Sequence, residues 1–281
     1  MSGWPEPARC VASITVPHMP SRAGTALVTG ATSGIGAAFA RRLAREGYDL
    51  VIVARDEARL LGIARDLRDA ERVEVEVLAA DLTDDDARGA VEQRLADPER
   101  AVDVLINNAG IPIAKGFQVS SVEAEERLLR LNVLAVLRLA KAAMPGMVER
   151  GFGGIVNVSS IAGFFPYGTY SASKAWVTRF SESLSVELAG TGVRVVALCP
   201  GFTRTEFHAR AGITRDEAPG WSWLAADDVV DAAWRGLRAG RTVVVPDMRY
   251  QALIAATRHL PMGAITTAVR ATGRRRRRPT E

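Results

Sequence analysis

Short apolar runs rich in β-branched residues alternate with longer amphipathic segments along most of this chain. Seven such runs occur: TALVT from residue 25, DLVIV from 49, VEVEVL from 73, VDVLI from 102, GIVNVS from 154, VRVVAL from 193 and TVVVP from 242. The intervening segments, such as IGAAFARRLAREG, carry apolar residues at the spacing of a one-sided helix. Strands that alternate with helices in this way predict a parallel sheet with crossover connections. We therefore predict an α/β fold: a single doubly wound domain with a seven-stranded parallel sheet flanked by helices.

The alternation also predicts where the folded domain begins and ends. Residues 1–23 contain four prolines and little periodicity, so we predict a disordered leader there, with Met19 as an alternative start to Met1. Residues 24–262 form the predicted domain, and residues 263–281 form a C-terminal extension. The last helical stretch, residues 248–273, is predicted to break at Pro261, because proline cannot continue a helix.

The composition is that of an ordinary globular protein, with 48% hydrophobic and 24% charged residues. The two cysteines, Cys10 and Cys199, lie far apart and lack the spacing of a disulfide framework or a zinc site. The histidines are scattered, so no metal is expected. No run reaches the roughly 18 apolar residues of a membrane-spanning helix. These features favour a reducing, cytoplasmic setting.

The positive net charge is concentrated at one end of the chain. The run RRRRR at residues 274–278 supplies more positive charge than the whole chain's net +4, so the remainder is close to neutral. Such a run can bind nucleic acid or anionic lipid electrostatically. We interpret it instead as a solvated, disordered tail.

A glycine-rich turn, TGATSGIG at residues 29–36, follows the first predicted strand and opens the first predicted helix. Gly30, Gly34 and Gly36 lack a Cβ, which lets the backbone reach positive φ and lets a phosphate approach the N–H groups at the helix N-terminus. The spacing GxxxGxG differs from the common dinucleotide fingerprint GxGxxG. The position between strand and helix nevertheless predicts a dinucleotide site, with Thr32, Ser33 and Ile35 as further contacts.

The end of the second predicted strand should distinguish NADP(H) from NAD(H). An arginine there pairs with a 2′-phosphate, whereas an acidic residue accepts hydrogen bonds from a free 2′-hydroxyl. The strand ends in VIVARD, which places Arg55 at its tip and Asp56 beside it. Arg55 predicts a preference for NADP(H), although Asp56 turned inward would favour NAD(H), and NAD(H) use stays possible.

Five motifs occur in a fixed order: TGATSGIG, NNAG at 107–110, SS at 159–160, YSASK at 170–174 and PGFT at 200–203. With these motifs, the chain resembles the short-chain dehydrogenase/reductase family over about residues 25–246. The resemblance implies that Tyr170 is the catalytic acid/base, that Lys174 lowers its pKa and binds the nicotinamide ribose, and that Ser160 steadies the substrate oxygen. It also implies that Asn132, in LRLNV, holds a proton-relay water.

The resemblance implies further cofactor contacts and an assembly state. Asp81 and Leu82 look like the pair that contacts the adenine ring, and Asn108, Ala109 and Gly110 resemble the stretch beneath the adenosine. Thr203 matches the threonine that holds the nicotinamide carboxamide, in a segment that begins with Pro200 and Gly201. Relatives of this kind are expected to be homodimers or homotetramers.

One feature departs from the family pattern. Ser160 precedes Tyr170 by ten residues, where most members have a loop some three residues longer. The shorter loop leaves Tyr167 as an alternative acid, although only Tyr170 has a lysine four residues later. Ser159 is an alternative to Ser160, although the alternation of a strand makes it hard for both to face one side.

The spacing of Tyr170 and Lys174 fits acid/base chemistry. A free tyrosine has a pKa of about 10, and an ammonium one helical turn away on the same face stabilises the phenolate. The sequence therefore predicts an NADP(H)-dependent oxidoreductase that acts on a carbonyl or a secondary alcohol. A non-catalytic dinucleotide sensor or scaffold, and an adaptor acting through the arginine tail, are the alternatives.

Aromatic residues are concentrated where the substrate would bind, which predicts a bulky apolar substrate; ordinary core packing is the alternative interpretation. The cluster comprises Phe164, Phe165, Tyr167, Phe202, Phe207, Trp221 and Trp223. Residues 212–223 have the glycine, proline and charge content of a mobile lid.

Overall fold

All seven predicted strands are present in the computed structural model, which describes residues 24–113, 116–207, 220–258, 263 and 266–267. The predicted leader, the alternative start at Met19, the break at Pro261 and the arginine tail lie outside the described residues. Most of the predicted lid, residues 212–219, also lies outside them. The strands are β1 (Thr25–Thr29), β2 (Asp49–Ala54), β3 (Val75–Ala79), β4 (Val104–Asn107), β5 (Gly153–Val158), β6 (Val193–Leu198) and β7 (Val243–Val244).

The strands form one parallel sheet in the order β3-β2-β1-β4-β5-β6-β7. Leu27 of β1 lies between Val51 of β2 and Leu105 of β4. The chain reverses its winding direction at this pair of strands, and open α/β sheets bind ligands outside the carboxyl ends of the strands at such a point. The predicted fold class is confirmed, and the reversal places the carboxyl ends of β1 and β4 at the expected ligand site.

Helices cover both faces of the sheet, as predicted from the amphipathic segments. They are α1 (Gly34–Arg45), α2 (Glu57–Glu71), α3 (Asp85–Ala96), α4 (Val122–Leu129), α5 (Ala135–Glu149), α6 (Gly168–Glu187), α7 (Ala226–Arg238) and α8 (Met248–Arg258). A π-helical turn, Arg130–Leu134, joins α4 to α5 without a break. The sequence pattern did not predict this turn, which is of a kind often found at functional sites.

Alternating strand residues supply two apolar layers, one on each side of the sheet. Val28 packs in the layer covered by α1, α2 and α7, and Leu27 packs in the layer covered by α3, α5 and α6. Burial of both faces explains why the strands consist of nearly continuous apolar residues.

The long helical segment Val122–Glu149 is apolar and long enough to cross a membrane by length and composition alone. In this fold, Leu139, Ala143 and Met147 from its second half are buried in the core layer between the sheet and helices α3, α5 and α6. The segment therefore serves as a core helix of the domain.

Helix α8 packs on the domain through Tyr250 and Ile254, which are buried. The Tyr250 hydroxyl donates a hydrogen bond to the carbonyl oxygen of Ser222 at 2.8 Å and accepts one from the N–H of Phe202 at 3.3 Å. A Cβ at Gly201 would lie 2.1 Å from the Tyr250 ring. Tyr250 therefore fixes the segment that follows β6, and Gly201 is required for this close approach.

Trp234 of α7 should be a major contributor to stability, because it is 1% exposed and meets Tyr48 edge-on at 5.8 Å between ring centroids. We expect Trp234→Ala to lower the free energy of unfolding by about 3–5 kcal/mol, the usual loss for a buried large aromatic residue. Trp234→Phe should lose much less, because the Trp234 Nε1 has no hydrogen-bond partner among the described residues. Urea unfolding followed by circular dichroism measures both. Val186→Ala, at a side chain that is 78% exposed, is the control, and equal losses for the three variants would contradict this role.

Candidate functional site

A cavity of about 620 Å³ opens at the carboxyl ends of the central strands. Nearly all the site residues predicted from sequence line it, and only Gly36 and Asn132 do not. The predicted residues along its wall are Gly30, Thr32, Ser33, Gly34, Ile35, Arg55, Asp81, Leu82, Asn108, Ala109, Gly110, Ser160, Tyr170, Lys174, Pro200, Gly201 and Thr203.

The glycine turn forms one wall of this cavity. Gly30 has φ +66° and Gly34 has φ +56°, a region that side chains other than glycine rarely adopt. A Cβ at Gly36 would lie 2.2 Å from the carbonyl oxygen of Gly30, so Gly36 allows the first turn of α1 to pack against the end of β1. The N-terminus of α1 consequently faces the cavity without an intervening side chain.

Thr29 and Asn108 hold the ends of β1 and β4 together. The Thr29 hydroxyl accepts hydrogen bonds from the N–H groups of Asn108 and Ala109, each at 3.0 Å. The Asn108 amide donates to the carbonyl oxygen of Thr29 at 2.9 Å. Sequence analysis placed Thr29 in the turn but missed this positioning role, which only the strand order reveals.

This wall fits the phosphates of a dinucleotide. The turn packs tightly against the end of β4, because a Cβ at Gly30 would lie 2.8 Å from the Asn108 side-chain amide. The N-terminus of the helix that follows attracts negative charge. The Ser33 side chain makes no capping hydrogen bond with α1, which leaves its hydroxyl available to a ligand.

The end of β2 carries the predicted selectivity residue. Arg55 lines the cavity with 61% of its side chain exposed and lies 3.9 Å from the Asp81 carboxylate. The Asp56 carboxylate accepts a hydrogen bond from the N–H of Arg59 at 3.0 Å and caps α2. Asp56, the alternative acceptor for a ribose hydroxyl, also lines the cavity, with one carboxylate oxygen engaged at the start of α2.

Asp81 lies where the resemblance implies an adenine contact. Burial raises its pKa, but hydrogen bonds from Thr83 and the positive charges of Arg127 and Arg55 outweigh burial and hold the pKa below its ordinary value. The Arg127 guanidinium donates to the carboxylate at 3.0 Å and also lines the cavity. Arg127 was not predicted, because its position on α4 gives no signal in the sequence.

Tyr170 and Ser160 both line the cavity. Burial raises the pKa of the Tyr170 phenol to about 12, and a hydrogen bond with the Ser160 hydroxyl partly offsets this shift. Ser160 also accepts a hydrogen bond from the N–H of Ala162 at 3.1 Å, at the start of a short 3₁₀ turn. Phe207 lies against Tyr170, with 6.0 Å between ring centroids, and lines the same cavity.

Lys174 is buried beneath Tyr170. Its Nζ lies 5.9 Å from the centre of the Tyr170 ring and donates a hydrogen bond to the carbonyl oxygen of Val158 at 2.8 Å. Burial lowers the pKa of the amine to about 8. Burial is the largest influence on the Tyr170 pKa in the free protein, and the lowering of that pKa by Lys174 and bound oxidised nicotinamide stays a prediction.

Asn132 lies in the π-helical turn and is 0% exposed. Its amide accepts from the N–H of Ile111 at 2.9 Å and donates to the Ile111 carbonyl oxygen at 3.0 Å. A Cβ at Gly110 would lie 3.1 Å from the Asn132 Oδ1. Asn132 thus fixes the backbone that follows β4 rather than reaching the cavity itself.

Ser159 and Tyr167, the alternatives to Ser160 and Tyr170, occupy different environments. Ser159 also lines the cavity, but it is buried and its hydroxyl donates to the carbonyl oxygen of Lys174 at 2.7 Å. Tyr167 is 46% exposed and does not line the cavity. Ser171, four residues after Tyr167, bonds to the carbonyl oxygens of Ala162 and Phe165 and so anchors the short loop. This geometry favours Ser160 and Tyr170.

The aromatic cluster is only partly in the cavity. Phe207 lines it, whereas Phe202 packs on Trp223 with ring centroids 5.4 Å apart, outside its wall. Within the described ranges, no group of three or more His, Cys, Asp or Glu residues is arranged to hold a metal.

Comparisons with known proteins agree with this arrangement. The family model for short chain dehydrogenase matches residues 24–216. A short-chain dehydrogenase from Sphingobium yanoikuyae, solved in complex with NADPH, is 44% identical, with TM-score 0.77 over 84% of this chain and 94% of that one. The bulky-bulky ketone specific alcohol dehydrogenase of Comamonas testosteroni is 36% identical, with TM-score 0.72 over 83% of this chain and 92% of that one.

A curated relative extends the comparison to sequence. The NADP-dependent 3-hydroxy acid dehydrogenase of Salmonella typhi is 36% identical over 221 residues, which cover 74% of this chain and 86% of the relative. The chain therefore belongs to the short-chain dehydrogenase/reductase family and is an oxidoreductase of alcohol or carbonyl groups that prefers NADP(H).

Proposed function

We propose that the protein is a carbonyl reductase or secondary alcohol dehydrogenase in which Tyr170 is the acid/base. The observation that carries the proposal is that Ser160, Tyr170 and Lys174 line the same cavity as the glycine turn, with the Lys174 Nζ 5.9 Å from the centre of the Tyr170 ring. Two hydroxyl groups at that place suit a single substrate oxygen. Lys174 lies directly beneath Tyr170 and is the third residue of the proposed catalytic group.

When bound, NADP(H) supplies or accepts the hydride. Tyr170 holds the proton: with a pKa of about 12 the phenol is protonated at neutral pH, which suits donation to a carbonyl oxygen. Ser160 provides a second hydrogen bond to the same oxygen as negative charge develops there, and such donors act strongly in a water-poor site. Lys174, charged at neutral pH, favours the phenolate that remains after the proton has left.

The remaining cavity residues are proposed to bind the cofactor. In this proposal, the turn from Gly30 to Gly36 binds the phosphates that join the two nucleotides, and Arg55 binds the 2′-phosphate. Asp81 and Leu82 contact the adenine, while Asn108, Ala109 and Gly110 lie beneath the adenosine. Pro200, Gly201 and Thr203 face the nicotinamide, and Asn132 acts through the backbone of Ile111.

An apolar ketone or alcohol is the proposed substrate class. Phe207 forms an aromatic wall beside Tyr170, and the Comamonas testosteroni protein is named for bulky ketones. The Salmonella typhi relative is named for 3-hydroxy acids, so substrate size and charge are the properties to compare. Assays with aryl ketones and with short oxo acids, with NADPH in excess, separate the two classes.

A homo-oligomer in the cytoplasm is a further part of the proposal. Apolar side chains that are more than a third exposed recur along the helix from α4 to α5, at Val122, Leu129, Leu137 and Val148. A stripe of this kind on a helix suits contact with another subunit. Cys199, buried and free, is compatible with a reducing compartment.

Tyr170→Phe should lower kcat for ketone reduction by about 10²–10⁴-fold, the range for loss of a general acid. NADPH affinity should stay within about twofold, because the ring is kept. Tyr167→Phe, at the exposed alternative tyrosine, should leave kcat unchanged. Absorbance of the reduced nicotinamide measures turnover, and fluorescence titration measures binding.

Two outcomes would count against this assignment. Equal kcat for wild type and Tyr170→Phe would exclude Tyr170 as the acid, and a large loss in Tyr167→Phe would move that role to the alternative residue. Tight NADPH binding without turnover of any ketone, aldehyde or alcohol in the wild type would support the sensor alternative.

NADPH binding should weaken as pH rises through about 8, the pKa of the buried Lys174 amine in the free protein. The charged amine is the form expected to bind the ribose; it is present below this pKa and lost above it. Affinity should therefore fall by up to about tenfold per pH unit above pH 8 in calorimetric titrations, with proton uptake on binding. Lys174→Met should remove the dependence, whereas Lys141→Met, at an exposed lysine on α5, should keep it. A flat profile in the wild type would contradict this role for Lys174.

A further inference from the structure

Arg59 is a second arginine on the cavity wall near the end of β2. It lies in the first turn of α2, and it lines the same cavity as Arg55 and the glycine turn. Three residues separate it from Arg55, and the N-terminus of α2, capped by Asp56, lies between them. Two arginines and a helix N-terminus thus lie along the stretch of cavity wall proposed for the 2′-phosphate.

In the free protein, the Arg59 guanidinium holds a carboxylate. Its Nη2 donates to one oxygen of Glu206 at 2.7 Å, and its Nη1 lies 3.4 Å from the other. This two-pronged contact is the geometry in which arginine also binds a phosphate. Glu206 therefore presents to Arg59 two oxygen acceptors of the kind that a phosphate would present.

The ion pair joins two walls of the cavity. Glu206 lies between Thr205 and Phe207 in the sequence. A Cβ added at Gly34 would come within 2.9 Å of the Thr205 side chain, and Phe207 lies against Tyr170. The side chains of the pair are 44% and 49% exposed. Exposed ion pairs contribute little net stability, so an incoming dianion can replace the carboxylate. A phosphate monoester carries a charge of about −1.5 to −2 at neutral pH, more than the single charge of Glu206.

We propose that Arg59 is a second residue that binds the 2′-phosphate of NADP(H), and that Glu206 occupies its guanidinium until the cofactor replaces it. Glu206 is then a competitor that sets the affinity for NADP(H) without affecting NAD(H), which lacks the 2′-phosphate. The proposal rests on the NADP(H) preference and is independent of which residue transfers the proton.

The test compares NADPH and NADH dissociation constants of purified variants by fluorescence titration at fixed pH and ionic strength. Arg59→Gln should weaken NADPH binding by about 10- to 100-fold, the effect of losing a hydrogen bond to a charged group, and should change NADH binding by less than about twofold. Glu206→Gln should strengthen NADPH binding several-fold and leave NADH unchanged. In the Arg59→Gln background, the Glu206→Gln effect should disappear.

Arg65→Gln is the matched control, because Arg65 lies exposed on the same helix and does not line the cavity; it should bind both cofactors as the wild type does. Equal weakening of NADPH and NADH in Arg59→Gln would overturn the proposal, since it would indicate a structural role at the start of α2. Weaker NADPH binding in Glu206→Gln would also overturn it, because the pair would then be a clamp over the bound cofactor. Should Arg59→Gln not fold, Glu206→Gln alone decides between these results. Arg55→Ala tests the proposed role of Arg55 separately, so that the role of one arginine can be contradicted while the role of the other stands.

Discussion

The junction between the carboxyl ends of β1 and β4 is the constraint on which the site depends. Two hydrogen bonds from Asn108 and one from Ala109 join these ends at Thr29, and Gly36 lets α1 begin directly above them. Since the winding direction reverses at this pair of strands, the helices on either side diverge and leave a cavity. The phosphate-facing turn and the end of β2 take their positions from this junction.

The other end of the cavity is governed by burial. Tyr170 and Lys174 are one helical turn apart, and burial shifts their pKa values in opposite directions: the phenol up to about 12 and the amine down to about 8. In both groups, burial disfavours the charged form. The free protein therefore has a protonated phenol above an amine that loses its charge readily, and the positions of both are fixed by α6. A proton donor suited to carbonyl reduction is present before any ligand binds.

Sequence analysis predicted the strands, their parallel arrangement and most of the cavity wall, because these depend on local periodicity and on short motifs such as the glycine turn. It did not predict contacts that depend on strand order or on distant segments. Arg127 meets Asp81 across 46 residues, and Arg59 meets Glu206 across 147. Spacing along a helix carries no information on burial, so the raised pKa of the buried Tyr170 phenol was not predicted. The lowering of that pKa by Lys174 and bound oxidised nicotinamide stays a prediction. The π-helical turn around Asn132 was missed because its sequence, RLNVL, suits an ordinary helix.

A crystal structure of the protein with NADP⁺ tests the central claim most directly, namely that one cavity brings the cofactor and the Tyr170 hydroxyl to a common substrate position. We expect the phosphates against Gly30 to Gly36, and the nicotinamide beside Tyr170 with the phenol directed at its reactive face. A cofactor bound elsewhere, or a Tyr170 hydroxyl directed away from the nicotinamide with Lys174 engaged by other groups, would contradict the claim.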